Sequence, residues 1–413
     1  MSRVTFREVQ GKGFGYYGLF GGLGLVTALG LMAAYYMETH GHIVTGMTNQ
    51  IVWGVPHVFA VFLIVAASGV LNVASIGSVF GKAMYKPLAP LSGLLAIAML
   101  IGGVTILMLD LGRPDRLIVA MTHYNFKSVF ALNVFLYTGF LTIVATYLWT
   151  MMERRMNGYS QSIGIAAFVW RILLTTGTGS IFGFLVARQL YDSALLAPMF
   201  IIMSFSYGLA IYLLVLMAAY QWTGRTLGDV VLFRLRKLQA IFVAAVLYFV
   251  AVFHMTNLYF TAHHGVERFI LLDGGIQTAL FWIGQILLGS IVPLVILLHP
   301  RLKKSRPMIT LAAALVILGG LAQMYVTIIG GQAYPLVLFP GMRESSSFYD
   351  GVIHTYQPSL PEILLGLGGV AIAGLIVVIG VKVLRFLPET LADQTADVQH
   401  KHQTAAAVAG QPA

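Results

Sequence analysis

Polar residues gather at the ends of long apolar runs, where their side chains could carry out proton chemistry. Asn49, Trp53 and His57 begin one such run, and Asp110 ends the next. An imidazole titrates near neutral pH, so His57 could exchange a proton that Asp110 relays to water. Arg113 follows three residues later, and a guanidinium so close is expected to hold the Asp110 carboxylate ionised.

The segment that precedes the following run adds Tyr124 and Asn125. Oxidation of a quinol removes two electrons and two protons. A site for this reaction needs hydrogen-bond partners for both ring oxygens, a proton acceptor near water and an apolar wall. The aromatic rings of Trp53 and Tyr124 could form that wall. The predicted quinone-binding residues are His57, Asn49, Trp53, Tyr124 and Asn125.

His57, Asp110 and Arg113 also have interpretations that involve no ligand. His57 could be a histidine satisfied by a neighbouring helix. Asp110 and Arg113 could form a salt bridge that fixes the end of a helix and its loop. Pro56 favours the beginning of a regular helix, because proline is well tolerated in a first turn.

Further polar residues lie deeper in the apolar runs or in the second half of the chain. A charged group at membrane depth costs several kcal/mol unless it is paired or hydrated, so Arg171 is a functional candidate. Ser68 and Asn72 could continue a proton path inward with it, although a stripe of small polar residues more commonly packs helices together. His254 and Asn257 are secondary candidates for the site.

The elements that position these residues follow from composition. The chain has 413 residues, of which 58% are hydrophobic and 10% charged, so a soluble fold is excluded. Uncharged runs of about 20 residues each can cross the bilayer as helices. We predict an all-α polytopic membrane protein with ten transmembrane helices, the first of which is a span and not a cleaved signal peptide. The predicted spans are 17–37, 51–80, 88–109, 128–152, 160–187, 195–221, 238–262, 277–298, 308–330 and 362–381.

The basic residues predict the orientation of the chain. Of 25 Lys and Arg residues, 18 fall on the side of the amino terminus, six fall on the other side, and Arg171 lies within a span. Lys and Arg next to a span stay on the cytoplasmic side. We therefore predict a multi-pass protein of the bacterial inner membrane with both termini cytoplasmic. The positive charge is topological, so no nucleic-acid partner is expected.

The spans also suggest a domain organisation within a transmembrane domain of residues 1–387. Helices two to five (51–187) and six to nine (195–330) could form two four-helix bundles, with the first and last helices flanking them. The outside loop 331–361 carries aromatic and proline residues and is expected to be ordered against a partner. The tail 388–413 is polar and lacks aromatics, so it is expected to be disordered in the cytoplasm.

Two motifs carry a resemblance to a known family. Asp-Leu-Gly-Arg-Pro at 110–114 and Tyr-Asn-Phe-Lys-Ser at 124–128 resemble the NrfD/PsrC family of quinone-interacting membrane subunits. Other stretches are similar to the ten-helix branch of that family, which includes alternative complex III subunits and the DsrP-type subunit. The sequence as a whole most resembles the DsrP-type subunit. These stretches are 53–57, 330–336, 339–341 and 358–362.

The resemblance implies a haem-free site for menaquinone or ubiquinone near the outer face. It also implies a periplasmic, ferredoxin-like iron–sulfur subunit docked there, with cytochrome subunits and further membrane subunits as other partners in sulfur metabolism or respiration. Family quinone pockets use histidine, asparagine and tyrosine, which match His57, Asn49 and Tyr124 by position. The chain has no cysteine, so an iron–sulfur cluster must belong to a partner.

Two other functions remain open at this stage. His57 and His254 could together ligate the single haem of a b-type cytochrome anchor, although two stacked haems would need four such histidines. A secondary transporter would place its site near the bilayer midplane, whereas the polar residues here crowd one face. Proton translocation coupled to quinol chemistry is compatible with the sequence.

Overall fold

The computed structural model describes residues 4–273, 275–336 and 351–393. In these residues the protein is an all-α polytopic membrane protein, with ten helices that are long and apolar enough to span a bilayer. The prediction of fold class and number of spans is confirmed. The helices, numbered α1 to α10 in chain order, are Phe14–His40, Val55–Ser78, Ala83–Leu109, Val129–Met152, Asn157–Gly183, Leu196–Thr223, Asp229–Tyr259, Ile276–Leu298, Arg306–Ala333 and Leu360–Val383.

Most helix ends lie within a few residues of the prediction, and α7 shows the largest difference. It begins at Asp229, nine residues before the predicted start at 238. This stretch contains three basic residues, so charge alone predicts that it is a loop. In the structure they lie on the first turns of the helix, where Arg236 donates a hydrogen bond to the carbonyl of Leu297 at 2.5 Å.

The helices pack in two rings that meet along α2 and α6. Contacts link α2 to α3, α3 to α4, α4 to α5 and α5 back to α2, and the same pattern links α6, α7, α8 and α9. A Cβ added at Gly69 would lie 1.6 Å from the carbonyl oxygen of Ser204, and one at Gly208 would lie 2.2 Å from the backbone of Gly69. Glycine at these two positions therefore lets the backbones of α2 and α6 touch.

The first and last described segments of the chain lie on one face of the protein, called here the termini face. Phe6 forms an isolated bridge with Pro388, and the short strand β1 (Thr226–Leu227) pairs in parallel with β2 (Thr390–Leu391). The opposite side, where α2 begins and α3 ends, is called the His57 face.

The beginning of the carboxy-terminal tail is ordered, contrary to expectation. Disorder was expected from residue 388, but Pro388 to Asp393 are held against the termini face. The hydroxyl of Tyr220 donates to the carbonyl of Pro388 at 2.9 Å, and Asp393 accepts from the amide of Val230 at 2.9 Å. The expectation failed because it considered only the composition of the tail, and these bonds come from distant residues. Residues 394–413 lie outside the described part of the chain.

Candidate functional site

The structure brings His57 and Asp110 together at the His57 face. α2 begins at Val55, with Pro56 in its first turn, and α3 runs in the opposite direction and ends at Leu109. The first turn of one helix therefore lies beside the last turn of the other. His57 Nδ1 is 2.8 Å from Asp110 Oδ2, and the Asp110 side chain is fully buried while 19% of the His57 side chain is exposed.

In the part of the chain that the structure describes, the Asp110 carboxylate has none of the hydrogen bonds that a buried carboxylate normally accepts. Its contact with His57 does not have the directed geometry of a hydrogen bond, and within the described residues neither oxygen accepts one from another group. A buried carboxylate without donors is costly, so this position favours a ligand that brings a hydroxyl or N–H group. The imidazole Nε2 of His57 remains for a second polar contact.

Aromatic rings form the wall beside this pair. Trp53 stacks on the His57 imidazole, with ring centroids 6.0 Å apart and planes inclined by 22°. Phe182 of α5 meets the indole edge to face at 5.7 Å, and Phe130 of α4 lies at 5.9 Å. A flat ring that enters beside Trp53 would therefore meet apolar faces and the His57 imidazole together.

The backbone that carries Trp53 is held by Gln332 at the end of α9. Gln332 Oε1 accepts hydrogen bonds from the amides of Val52 and Trp53, both at 3.0 Å, and its Nε2 donates to the carbonyl of Trp53 at 3.0 Å. Sequence reasoning did not assign a role to Gln332. Its signals were its place in the stretch 330–336, which resembles the ten-helix branch of the family, and its position at the end of an apolar helix, where a buried amide needs partners.

Arg188 joins the same backbone segment to the second ring. Its guanidinium donates to the carbonyl of Gln332 at 3.0 Å and to that of Gln50 at 2.8 Å. Burial lowers the pKa of Arg188, yet the ordinary value of a guanidinium is so high that the group stays charged. The sequence analysis counted Arg188 only as a loop charge. In the structure its guanidinium connects Gln50, which is 138 residues away in sequence, to Gln332, which is 144 residues away.

A third clamp is centred on the fully buried Glu362 at the start of α10. The hydroxyl of Tyr356 donates to Glu362 Oε1 at 2.7 Å, and the amide of Gly46 donates to Oε2 at 2.8 Å. The same Tyr356 oxygen accepts from the amide of Val55 at 2.8 Å. Together the three clamps fix both ends of segment 46–55, so Trp53 and His57 stand on a rigid support.

Three predicted binding residues do not join this pair in the structure. Asn49 is exposed in the segment before α2. Tyr124 is half-buried and stacks on Phe126, with ring centroids 5.8 Å apart, and the Asn125 side chain accepts from the amide of Lys127. The ring that approaches Trp53 from this part of the chain is that of Phe130, in the first turn of α4.

The expected pairing of Arg113 with Asp110 is wrong. Arg113 forms a bidentate pair with Asp115, with N–O distances of 3.1 and 3.0 Å, and both side chains are largely exposed. The hydrogen bonds from Arg113 lower the pKa of Asp115 below its usual value. Asp115 is only two residues from Arg113 in the same loop, so its carboxylate reaches the guanidinium locally and the pair forms there.

The deeper polar residues lie where α2 packs against α5 and α6. The Ser68 hydroxyl donates to the carbonyl of Arg171 at 3.0 Å and contacts the Thr175 hydroxyl at 2.6 Å. The Arg171 side chain is buried between the rings of Phe168 and Phe205, at 4.7 and 5.1 Å.

Two of these deep groups keep unsatisfied donors. Within the described residues, Nε and Nη1 of Arg171 and Nδ2 of Asn72 have no hydrogen-bond partner. Asn72 follows an interruption of α2 at Leu71 and is buried. Such groups at this depth favour contact with water or another polar guest.

The secondary candidates form a separate cluster in the second ring. His254 Nδ1 is 2.7 Å from Glu267 Oε2, and Asn257 donates to Glu267 Oε1 at 2.9 Å. His263 in turn contacts the Asn257 oxygen at 3.2 Å. A cavity of about 20 Å³, large enough for one water molecule, lies between His254 and Gln323.

This cluster bears on the haem alternative. A single haem would need His57 and His254 to face each other, but each imidazole contacts its own carboxylate in a different ring of helices. Glu267 is another residue to which the sequence analysis gave no role. The sequence showed only that it follows Asn257 by ten residues.

Comparisons with known proteins identify the family of this chain. The family model described as "Polysulphide reductase, NrfD" matches residues 43–335, which include both histidine–carboxylate pairs. The integral membrane subunit of an Hdr-like menaquinol oxidoreductase from Archaeoglobus fulgidus is 30% identical over 95% of this chain and 99% of its own length. A Halobacterium salinarum protein, provisionally named as a membrane subunit of dimethyl sulfoxide reductase, is 28% identical over 90% and 91%. A subunit of the selenate reductase of Mesobacillus selenatarsenatis is 23% identical over 82% and 87%.

Proposed function

Because the chain belongs to the NrfD family, we propose that it is the quinone-reactive membrane subunit of a multisubunit oxidoreductase, with its reaction site at His57 and Asp110. The observation that carries this proposal is a buried carboxylate with unsatisfied oxygens beside a stacked imidazole. The two hydroxyl groups of a quinol are donors of the kind that these oxygens need. The menaquinol named for the Archaeoglobus relative makes menaquinone the first substrate to test.

The proposed residues supply proton handling and orientation. A quinol that becomes a quinone releases two protons and two electrons. His57 accepts one proton from a ring oxygen and passes it to Asp110, which releases it at the His57 face, and the second proton leaves the other ring oxygen for water at the same face. Trp53 holds the ring against the imidazole. The electrons leave for an iron–sulfur centre of a partner subunit, and the same steps in reverse reduce a quinone.

The orientation of the complex is part of the proposal. The charge asymmetry of the loops supports a cytoplasmic termini face in a bacterial inner membrane, so the His57 face is periplasmic. An iron–sulfur subunit would then dock on that face, and the loop 331–361 is proposed to contribute to the contact. Its residues 337–350 lie outside the described part of the chain. Cytochrome subunits, further membrane subunits and a DsrP-type role in sulfur metabolism belong to the same proposal.

Proton translocation across the bilayer is a further part of the proposal. Its support is the set of buried donors on Arg171 and Asn72, together with the Ser68 hydroxyl at the junction of α2 and α5. These groups would extend a polar route inward from Asp110.

Labelling with a photoreactive menaquinone analogue in the intact complex tests the location of the site. We expect labelled peptides from the segments around Trp53 and Asp110, and excess unlabelled menaquinone should remove the label. Label confined to the peptide of His254 would refute the location. A complex that binds no quinone at either place would refute the function itself.

A further inference from the structure

A large apolar cleft lies between the helices and extends to the termini face, on the side of the protein opposite the His57 face. Its volume is about 1,410 Å³, and its walls come from α1, α2, α3, α6, α9 and α10. Phe59, Leu214, Leu321 and Val377 are typical of the lining. The size exceeds that of most small-molecule pockets, which measure roughly 300 to 1,000 Å³.

The cleft exists because α1 stands apart from the two rings. α1 packs mainly along α10, and α6 lies on the far side of the cleft. The segment before α1 closes the space at the termini face. It is tied there by Arg225, which donates to the carbonyls of Arg7 and Glu8 at 3.1 and 2.9 Å, and by the amide of Val9, which donates to Val381 at 2.8 Å.

The closed end of the cleft carries an excess of positive charge. Arg7, Lys12 and Arg225 line it with two carboxylates, Glu8 and Glu389. Both carboxylates already face cations. Glu8 lies 3.3 Å from Arg385, and Glu389 lies 3.3 Å from Arg7. Lys12 is exposed.

Two aromatic features place this end at the level of lipid headgroups. The Lys382 ammonium lies 4.6 Å from the ring of Tyr16, which lines the cleft, and Trp222 is 70% exposed beside it. Tryptophan, tyrosine and lysine at helix ends commonly mark the boundary between hydrocarbon and headgroups. The apolar part of the cleft therefore extends into the depth of the acyl chains.

We propose that this cleft binds one anionic phospholipid of the bilayer, with its acyl chains against the apolar walls and its phosphate near Lys12 and Arg7. A quinone is a poorer match, because its ring is neutral and the polar end of the cleft is cationic. The cleft is also separate from the reaction site. Phe59 faces α10, where a Cβ at Gly366 would lie 2.3 Å from its ring, whereas His57 faces Asp110 on α3. The inference does not depend on the proposed function.

Lipid retention by the purified intact complex tests the proposal. The complex is exchanged into detergent with added phosphatidylglycerol or phosphatidylcholine, and bound lipid is counted by native mass spectrometry. We expect one phosphatidylglycerol to survive at detergent levels that remove phosphatidylcholine. Lys12→Gln should weaken that preference about five-fold, since one basic residue near an anionic headgroup contributes roughly that factor. Lys304→Gln, an exposed lysine outside the cleft, is the matched control.

A second pair of variants tests the apolar part. Ala218→Phe fills the cleft, and Ala166→Phe places the same ring on an exposed part of α5. We expect the first to lose the retained phosphatidylglycerol at least several-fold and the second to keep it. Equal retention by both variants would overturn the proposal, as would a quinone as the retained molecule. Crosslinks from Leu214 to a helix of another subunit would likewise overturn it.

Discussion

Among the described residues, each ring of helices has one histidine–carboxylate pair at the His57 face, and the two pairs differ in how the carboxylate is satisfied. In the second ring, both oxygens of Glu267 are hydrogen bonded, one to His254 and one to Asn257. In the first ring, Asp110 has His57 at 2.8 Å but accepts no well-directed hydrogen bond within the described residues.

This difference separates a structural role from a reactive one. A buried carboxylate with its donors in place stabilises the fold around it and has little capacity left for a ligand. A buried carboxylate without donors destabilises the fold and gains from a ligand that supplies them. A histidine beside a buried carboxylate therefore favours packing in the second ring and substrate binding in the first.

Glu267→Ala should give the largest effect, and the effect should be on stability. The change leaves the buried Asn257 amide and the His254 imidazole without their acceptor, which costs about 3 to 5 kcal/mol for a broken buried pair. The thermal unfolding midpoint in detergent and the yield of assembled complex measure it. Glu153→Ala, at an exposed carboxylate, should change neither. A stable, fully assembled Glu267→Ala complex would show that the second pair is not structural.

Asp110→Asn should have the opposite signature. We expect quinol-linked turnover to fall on the order of 100-fold, because the amide cannot accept the proton. The unfolding midpoint should change little, since the change removes a buried charge together with its one close contact, His57 at 2.8 Å. A lower midpoint with unchanged turnover would indicate that Asp110 is structural, like Glu267.

Gln332→Ala should have an intermediate effect on turnover. The change removes three hydrogen bonds from the backbone around Trp53. The indole and the imidazole would then be held less accurately, and turnover should fall roughly ten-fold with a smaller change in assembly. Gln221→Ala, an exposed glutamine at the end of α6, is the control. Turnover equal to that of the control would exclude a positioning role for Gln332.

Arg113→Gln should have the smallest effect. Its partner is the exposed Asp115, and exposed ion pairs contribute little. We expect turnover to change less than about two-fold, and the dependence of turnover on pH should be unchanged. A large loss would restore the pairing of Arg113 with Asp110 that the sequence suggested.

The sequence was sufficient for the spans and for placing His57 and Asp110 at the same face of the protein. Runs of about 20 apolar residues leave no other arrangement in a bilayer. Because consecutive spans are antiparallel, a residue at the start of one and a residue at the end of the next must lie at the same face. That argument places His57 near Asp110 without any knowledge of side-chain packing.

The same argument could not select among residues at one level of the membrane. Asn49, Tyr124 and His57 all lie at the His57 face, but the rotation of each helix and the path of each loop decide which side chains meet. Arg113 had a nearer partner two residues away. The hydrogen bonds from Gln332 to Trp53 join residues 279 apart, and no local pattern predicts such a contact.

Parallel substitution of the two histidines tests the comparison most directly. His57→Gln and His254→Gln are made in the same complex, and quinol-linked electron transfer is measured per assembled complex. We predict that His57→Gln assembles normally and loses turnover on the order of 100-fold, while His254→Gln assembles less well and keeps its turnover per complex. Full turnover in His57→Gln together with loss of turnover in assembled His254→Gln would contradict the account and move the reaction site to the second ring.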